Sequence, residues 1–243
     1  MLQDILTVIW KETKEVLLQG GTRGRWWLLL FIGVFGVFMP LQTGPQWLTS
    51  PLSLLAWAWI PPFLVSSYIA DSFAGERERH TLETLLASRL SDRAILLGKV
   101  AASVVFAWGL SVVALLLGAV AINVAYHSGG LAFYPGWLAA GALAFSLFTA
   151  LLASGLGVLF SLRAATVRQA QQALSLAVVA LVWVPILAAN LLPNEWKARL
   201  VGALGSLDLT AVVIVALVVL VGLSVAALLA AQARFRRSRL ITD

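Results

Sequence analysis

Side chains able to do chemistry are concentrated in one stretch. Residues 71–99 read DSFAGERERHTLETLLASRLSDRAILLGK, in which Glu76, Glu78 and Glu83 alternate with Arg77, Arg79 and Arg89. Charges of both signs beside apolar anchors suit a surface gripped by another protein, and the pattern alone equally suits a connector lying on the membrane surface. Gly98-Lys99 invites comparison with a phosphate loop, but such a loop needs G-x-x-x-x-G-K-[ST] after a strand. Position 93 is Arg and position 100 is Val, in the setting of a helix entering an apolar run. No ATP site and no catalytic residue are assigned to this chain. Cysteine is absent and His80 and His127 are the only histidines. That composition excludes thiol chemistry, disulfides and most zinc or iron–sulfur sites, so no cofactor or metal is expected here.

The elements that position the stretch follow from composition. Of 243 residues, 60% are hydrophobic and 12% charged, with a mean hydropathy of +0.93. Soluble domains average about 45–50% apolar and about 25% charged residues. The apolar runs are continuous rather than alternating, so they read as membrane helices and not as a barrel. We expect an all-α membrane protein with six spans near 26–42, 52–72, 98–126, 135–162, 171–192 and 207–232. Trp26 and Trp27 mark the interfacial start of the first span, which lacks a signal-peptide cleavage pattern and is read as retained. Pro61-Pro62 are expected to kink or interrupt the second span, and Pro185 with Asn190 to break the fifth near its end. Residues 1–20 carry Leu2, Ile5, Leu6, Ile9, Val16 and Leu17 at near-helical spacing, with Asp4, Lys11, Lys14 and Glu15 mostly opposite. This is an amphipathic helix along the membrane surface, represented by Ile5, Ile9, Lys11 and Lys14; a soluble cap on the bundle is the competing reading.

Fifteen of the 17 Lys and Arg residues fall on one side of this topology, and only Lys197 and Arg199 on the other. The excess places both termini in the cytoplasm, which an even number of spans requires. It also explains the formal net charge of +6 without nucleic acid. The chain divides into an interface helix at 1–20, a bundle at 26–232 enclosing a loop at 73–97, and a basic tail at 233–243, forming one transmembrane domain. The tail reads as a topology anchor touching anionic lipid. Aromatic residues crowd the outer ends as interfacial belts.

Within the 73–97 loop, Thr81 can cap a short helix whose stripe is Leu82, Leu85, Leu86 and Leu90, while Ser91 followed by Asp92 opens the next span. Glu78-Arg79-His80-Thr81-Leu82-Glu83-Thr84-Leu85-Leu86, followed by Ser91-Asp92-Arg93 and Gly98-Lys99, resembles the loop of ABC-2 type transporter permeases. That family shows E-x-G-T-L-E-x-L-L, a small-polar and basic turn, and G-K at the start of span three. His80 stands where the family commonly has Gly, a departure that bears on the turn before Thr81. The resemblance implies a type V exporter-like fold with a cytoplasmic coupling helix seated in a groove of an ABC ATPase. It further implies two permeases and two ATPases per working unit, with ATP and Mg on the partner. Carried over, the coupling residues are Glu78, Thr81, Leu82, Glu83, Leu85, Leu86 and Arg89.

Few charges lie inside the spans, and no row of carboxylates marks a proton or sodium path. Thr149, Ala153, Gly157 and Ser161 recur every four positions, which allows close helix approach. Their role is either packing within one subunit or a lining or dimer face. The reading is a permease subunit of an ABC transporter in the inner (plasma) membrane, exporting rather than importing, driven by a separate ATPase. A secondary transporter or channel, and a non-catalytic assembly subunit, are the other classes weighed. The substrate is not legible.

Overall fold

Long apolar runs satisfy their backbone internally by coiling, and every regular element among the described residues is helical. The structure is a computed structural model that describes residues 2–19, 21–81, 89–126, 130–205 and 208–235. In chain order the elements are α1 (Leu2–Gln19), α2 (Gly21–Ile32), a π-helical segment (Gly33–Phe38), α3 (Met39–Thr43), α4 (Gln46–Thr49), α5 (Ser53–Glu78), α6 (Asp92–Ala125), α7 (Gly136–Ser161), α8 (Val167–Leu191), α9 (Asn194–Gly205) and α10 (Leu209–Arg234). Four stretches are long and apolar enough to cross a membrane: α5, α6, α7 and Thr210–Arg234. Leu28–Thr43 is a shorter apolar stretch. It and α8 occupy the two remaining runs expected as spans.

Helix α5 is the centre of the packing. It lies against α7, α6 and α8, and α7 in turn carries α10. Its buried face runs through Trp57, Ile60, Leu64, Val65, Ile69 and Phe73. Thr149, Ala153, Gly157 and Ser161 of α7 are all buried inside this one chain. At Gly157 an added Cβ would stand 2.0 Å from Ile69 Cγ2. The four-residue repeat therefore serves packing within the subunit, as small residues do where helices approach closely.

Two expectations need correction. Helix α5 runs without interruption through Pro61 and Pro62 to Glu78, and α8 runs through Pro185 to Leu191. Neighbouring helices compensate a proline's missing donor in a membrane bundle, so a breaker by local rules is tolerated. Helical structure also reaches into the expected 73–97 loop from both ends. Helices α5 and α6 project beyond their apolar cores, leaving only residues 79–91 as the connection. Of the proposed short helix there, residues 82–88 lie outside the described residues. The expected cap at Ser91 is present, its hydroxyl accepting from Ala94 N–H at 3.2 Å.

Candidate functional site at the basic end of the bundle

The 79–91 connection is rooted in α5 and α6, and each root carries one charge into a buried cluster. Lys99, in the first turns of α6, is 1% exposed. Its ammonium donates to Glu12 Oε1 of α1 at 2.7 Å and to Glu76 Oε1 of α5 at 2.9 Å. Lys11 approaches the same two oxygens at 3.6 and 3.5 Å from a half-exposed position. Two carboxylates thus face two ammonium groups and the cluster is formally neutral. Burying any of the inner three charges without the others would be costly, because a desolvated ion needs a partner. The Phe73 ring lies 5.4 Å from the ammonium and closes the cluster toward the core. Among the described residues, the second Glu76 oxygen has no hydrogen-bond partner.

Gly98 makes the docking of α1 possible. An added Cβ there would lie 2.6 Å from Val8, so glycine admits α1 directly onto α6. Helix α1 presents Val8 and Glu12 inward and leaves Leu6 and Trp10 exposed, 62% and 66%. The helix therefore has one face for the bundle and a second apolar strip free for a membrane surface. Ile5 and Ile9 are half-buried at the edge, and Lys14 sits 4.8 Å over the Trp10 ring.

The end of α5 is locked a second time, to the α7–α8 connection. Arg77 donates to the carbonyls of Ala164 and Leu162. Glu78 Oε1 accepts from Val167 N–H at 3.0 Å, at the start of α8. Ser161 Oγ accepts from Phe73 and Ala74 N–H and donates to Ala70 O, so α7 inserts a hydroxyl into the backbone of α5. Arg79 and Asp71 pair at 3.1 Å on the exposed side.

His80 then ends the helix. It adopts φ 56°, the left-handed region where glycine is usual. Thr81 N–H bonds Glu76 O at 2.9 Å and His80 N–H bonds Arg77 O at 3.1 Å, the paired closure of a Schellman motif. Thr81 Oγ1 also donates to Glu76 O at 3.3 Å. The turn survives the departure from glycine because histidine is among the residues that tolerate this conformation.

The structure therefore brings Lys11 into the ion cluster and turns Glu78 and Thr81 onto the chain's own backbone. Arg89 is exposed, beside half-buried Leu90. Leu82, Glu83, Leu85 and Leu86 lie outside the described residues. Sequence reasoning missed Val8, Glu12 and Lys99 as a unit. The available signal was the spacing of Ile5, Val8 and Glu12 along one face of α1, and a lysine placed inside an apolar helix.

Residues 60–196, more than half of the chain, match the model of the ABC-2 type transporter family. The matched segment runs from the middle of α5 to the first turn of α9 and includes Glu76, Lys99 and Ser161 but not Glu12. No curated protein matches the chain. With apolar helices long enough to cross a membrane, the loop residues Glu78 to Leu86, and a family match over α5 to α8, the chain belongs to the ABC-2 type transporter family and is a multi-pass permease component of an ABC transporter.

Proposed function

We propose that this permease is one half of the membrane domain of an ATP-driven exporter. Two copies, identical or related, form the substrate path, and two copies of a separate ABC ATPase subunit bind on the cytoplasmic side. In this reading six spans cross the inner (plasma) membrane with both termini cytoplasmic, and ATP with Mg sits on the ATPase. Residues Glu78, Thr81, Leu82, Glu83, Leu85, Leu86 and Arg89 form the surface the ATPase grips. Helix α1, through Ile5, Ile9, Lys11 and Lys14, rides at the membrane interface. Export is preferred because the sequence carries no sign of a docking surface for an external binding protein.

The observation that carries the proposal is the ion cluster. Both roots of the 79–91 connection, Glu76 and Lys99, are tied to each other and to Glu12 of α1. A force applied to the connection then displaces α1, α5 and α6 together, since separating them would expose or orphan buried charge. A loosely held loop would dissipate the same force in its own backbone.

The test is co-purification after co-expression with ABC ATPase subunits of the same genome. The chain is expected to associate with one such subunit, and Glu83→Ala with Leu86→Ala to weaken the association about thirtyfold, the loss of one interface hot spot of about 2 kcal/mol. Failure to associate, or unchanged association and transport-coupled ATPase activity in the double variant, refutes the coupling role.

A further inference from the structure

Between the first turn of α6 and the last turn of α10 the bundle leaves a half-open cavity of about 390 Å³. It exists because α10 packs on α7 and makes no extensive contact with α6 among the described residues. Its lining mixes buried Leu96 and Phe235, exposed Leu229, and polar Arg93 and Gln232. Asp92 also lines it and is engaged in an interaction of its own within the chain. Phe235 is fixed there by Phe73, their rings 5.1 Å apart.

A stripe of apolar side chains leads away from this cavity. Ile214, Val218, Val225 and Leu229 are each at least half exposed. Their spacings of 4, 7 and 4 residues put them on one face of α10. From Val218 to Leu229 the helix rises about 16 Å, close to half of a ~30 Å hydrocarbon core. The cavity thus stands at one end of an acyl-chain-length apolar track. Exposed Arg93 and Arg234 flank it, and the sequence continues with Arg236, Arg237 and Arg239.

We infer that this cavity is a binding site for the headgroup of an anionic phospholipid, whose acyl chains lie along the α10 stripe. Arg93 and Gln232 donate to the phosphate, and Leu96 and Phe235 pack against the glycerol region. Basic pockets between membrane helices on the cytoplasmic side suit anionic headgroups. The apolar half of the lining and the track favour a lipid over a free phosphate. The inference rests on this end facing the cytoplasmic leaflet, as proposed above.

The experiment is native mass spectrometry of the full chain in detergent. It is titrated with phosphatidylglycerol, phosphatidylcholine and inorganic phosphate. No ATPase is needed, so failure here and failure of the coupling role are separate results. The wild type is expected to retain one phosphatidylglycerol in preference to phosphatidylcholine. Arg93→Gln should weaken retention about fivefold, the factor for about 1 kcal/mol per basic residue at a membrane surface. Ala233→Phe, which fills the cavity from an exposed position without changing charge, should abolish retention. Arg163→Gln, an exposed cation outside the cavity, should leave it unchanged. Equal retention of phosphatidylcholine, displacement of the lipid by inorganic phosphate, retention by Ala233→Phe, or an equal loss in Arg163→Gln overturns the assignment.

Discussion

Lys99 Nζ donates to Glu12 Oε1 across 2.7 Å, joining side chains 87 positions apart in the sequence. The same ammonium holds Glu76 at 2.9 Å, so one buried cation sets the relative positions of three helices. Lys99→Met leaves two buried carboxylates facing only half-exposed Lys11 and is expected to cost about 3 kcal/mol. The triple variant Lys99→Met, Glu12→Gln, Glu76→Gln should recover most of that loss, because no fully buried charge then remains and half-exposed Lys11 is left to solvent. Thermal unfolding of the detergent-solubilised chain measures both. A Lys99→Met melting temperature no lower than that of the exposed variant Lys14→Met would show the cluster to be dispensable.

His80 supplies a second prediction. A left-handed backbone at φ 56° strains any residue with a Cβ. His80→Gly should stabilise the chain by about 0.5–1 kcal/mol after the greater freedom of the unfolded glycine is counted, and His80→Val should destabilise it. Denaturant unfolding gives the sign. Hydrogen exchange at the Thr81 amide, bonded to Glu76 O, should slow in the glycine variant. A less stable glycine variant would mean that the His80 side chain makes a compensating contact.

The α5–α7 contact predicts coupling between Gly157 and Ile69. A Cβ at Gly157 would meet Ile69 Cγ2 at 2.0 Å, too close for either backbone to ignore. Gly157→Ala should cost about 1–3 kcal/mol by overpacking. Ile69→Ala removes the obstructing atom, so the double variant should be less damaged than the two single losses added together. Additive losses in the double-mutant cycle would refute the close approach.

The Asp71–Arg79 pair is expected to matter little. Both side chains are close to half exposed, 44% and 49%, and solvent screens their attraction at 3.1 Å. Arg79→Ala and Asp71→Ala should show a coupling energy of about 0–1 kcal/mol. A double-mutant cycle giving several times that value would mean that the pair is shielded from water in the membrane-bound protein.

Local pattern made much of the chain readable. Helical class followed from continuous apolar runs, the Ser91 cap from a small polar residue before an acidic one, and the family from the residues around Thr81. Each of these depends on neighbours within a few positions. The expected interruptions at Pro61-Pro62 and Pro185 failed for the converse reason: a local breaker is overruled when neighbouring helices re-satisfy the freed backbone groups. The repeat of Thr149, Ala153, Gly157 and Ser161 was visible as a row of small residues. Whether it faced a neighbour in the same subunit or another copy was a matter of tertiary packing, and Ile69 of α5 occupies the space.

Sequence by itself thus determined the solvent this chain requires, the helices it forms and the family whose loop it carries. Those properties are sums over nearby residues: hydropathy over a span, periodicity over a turn, a motif over nine positions. Only the tertiary structure decided the partners of Lys99. In sequence it was a lysine beside a glycine at the start of a span, counted with the cytoplasmic charges, and its partners were not legible. Its use is set by where Glu12 and Glu76 arrive once α1 has docked over Gly98. The reason is physical: the cost of a buried charge depends on its nearest ions in space, and distance along the chain carries no information about them.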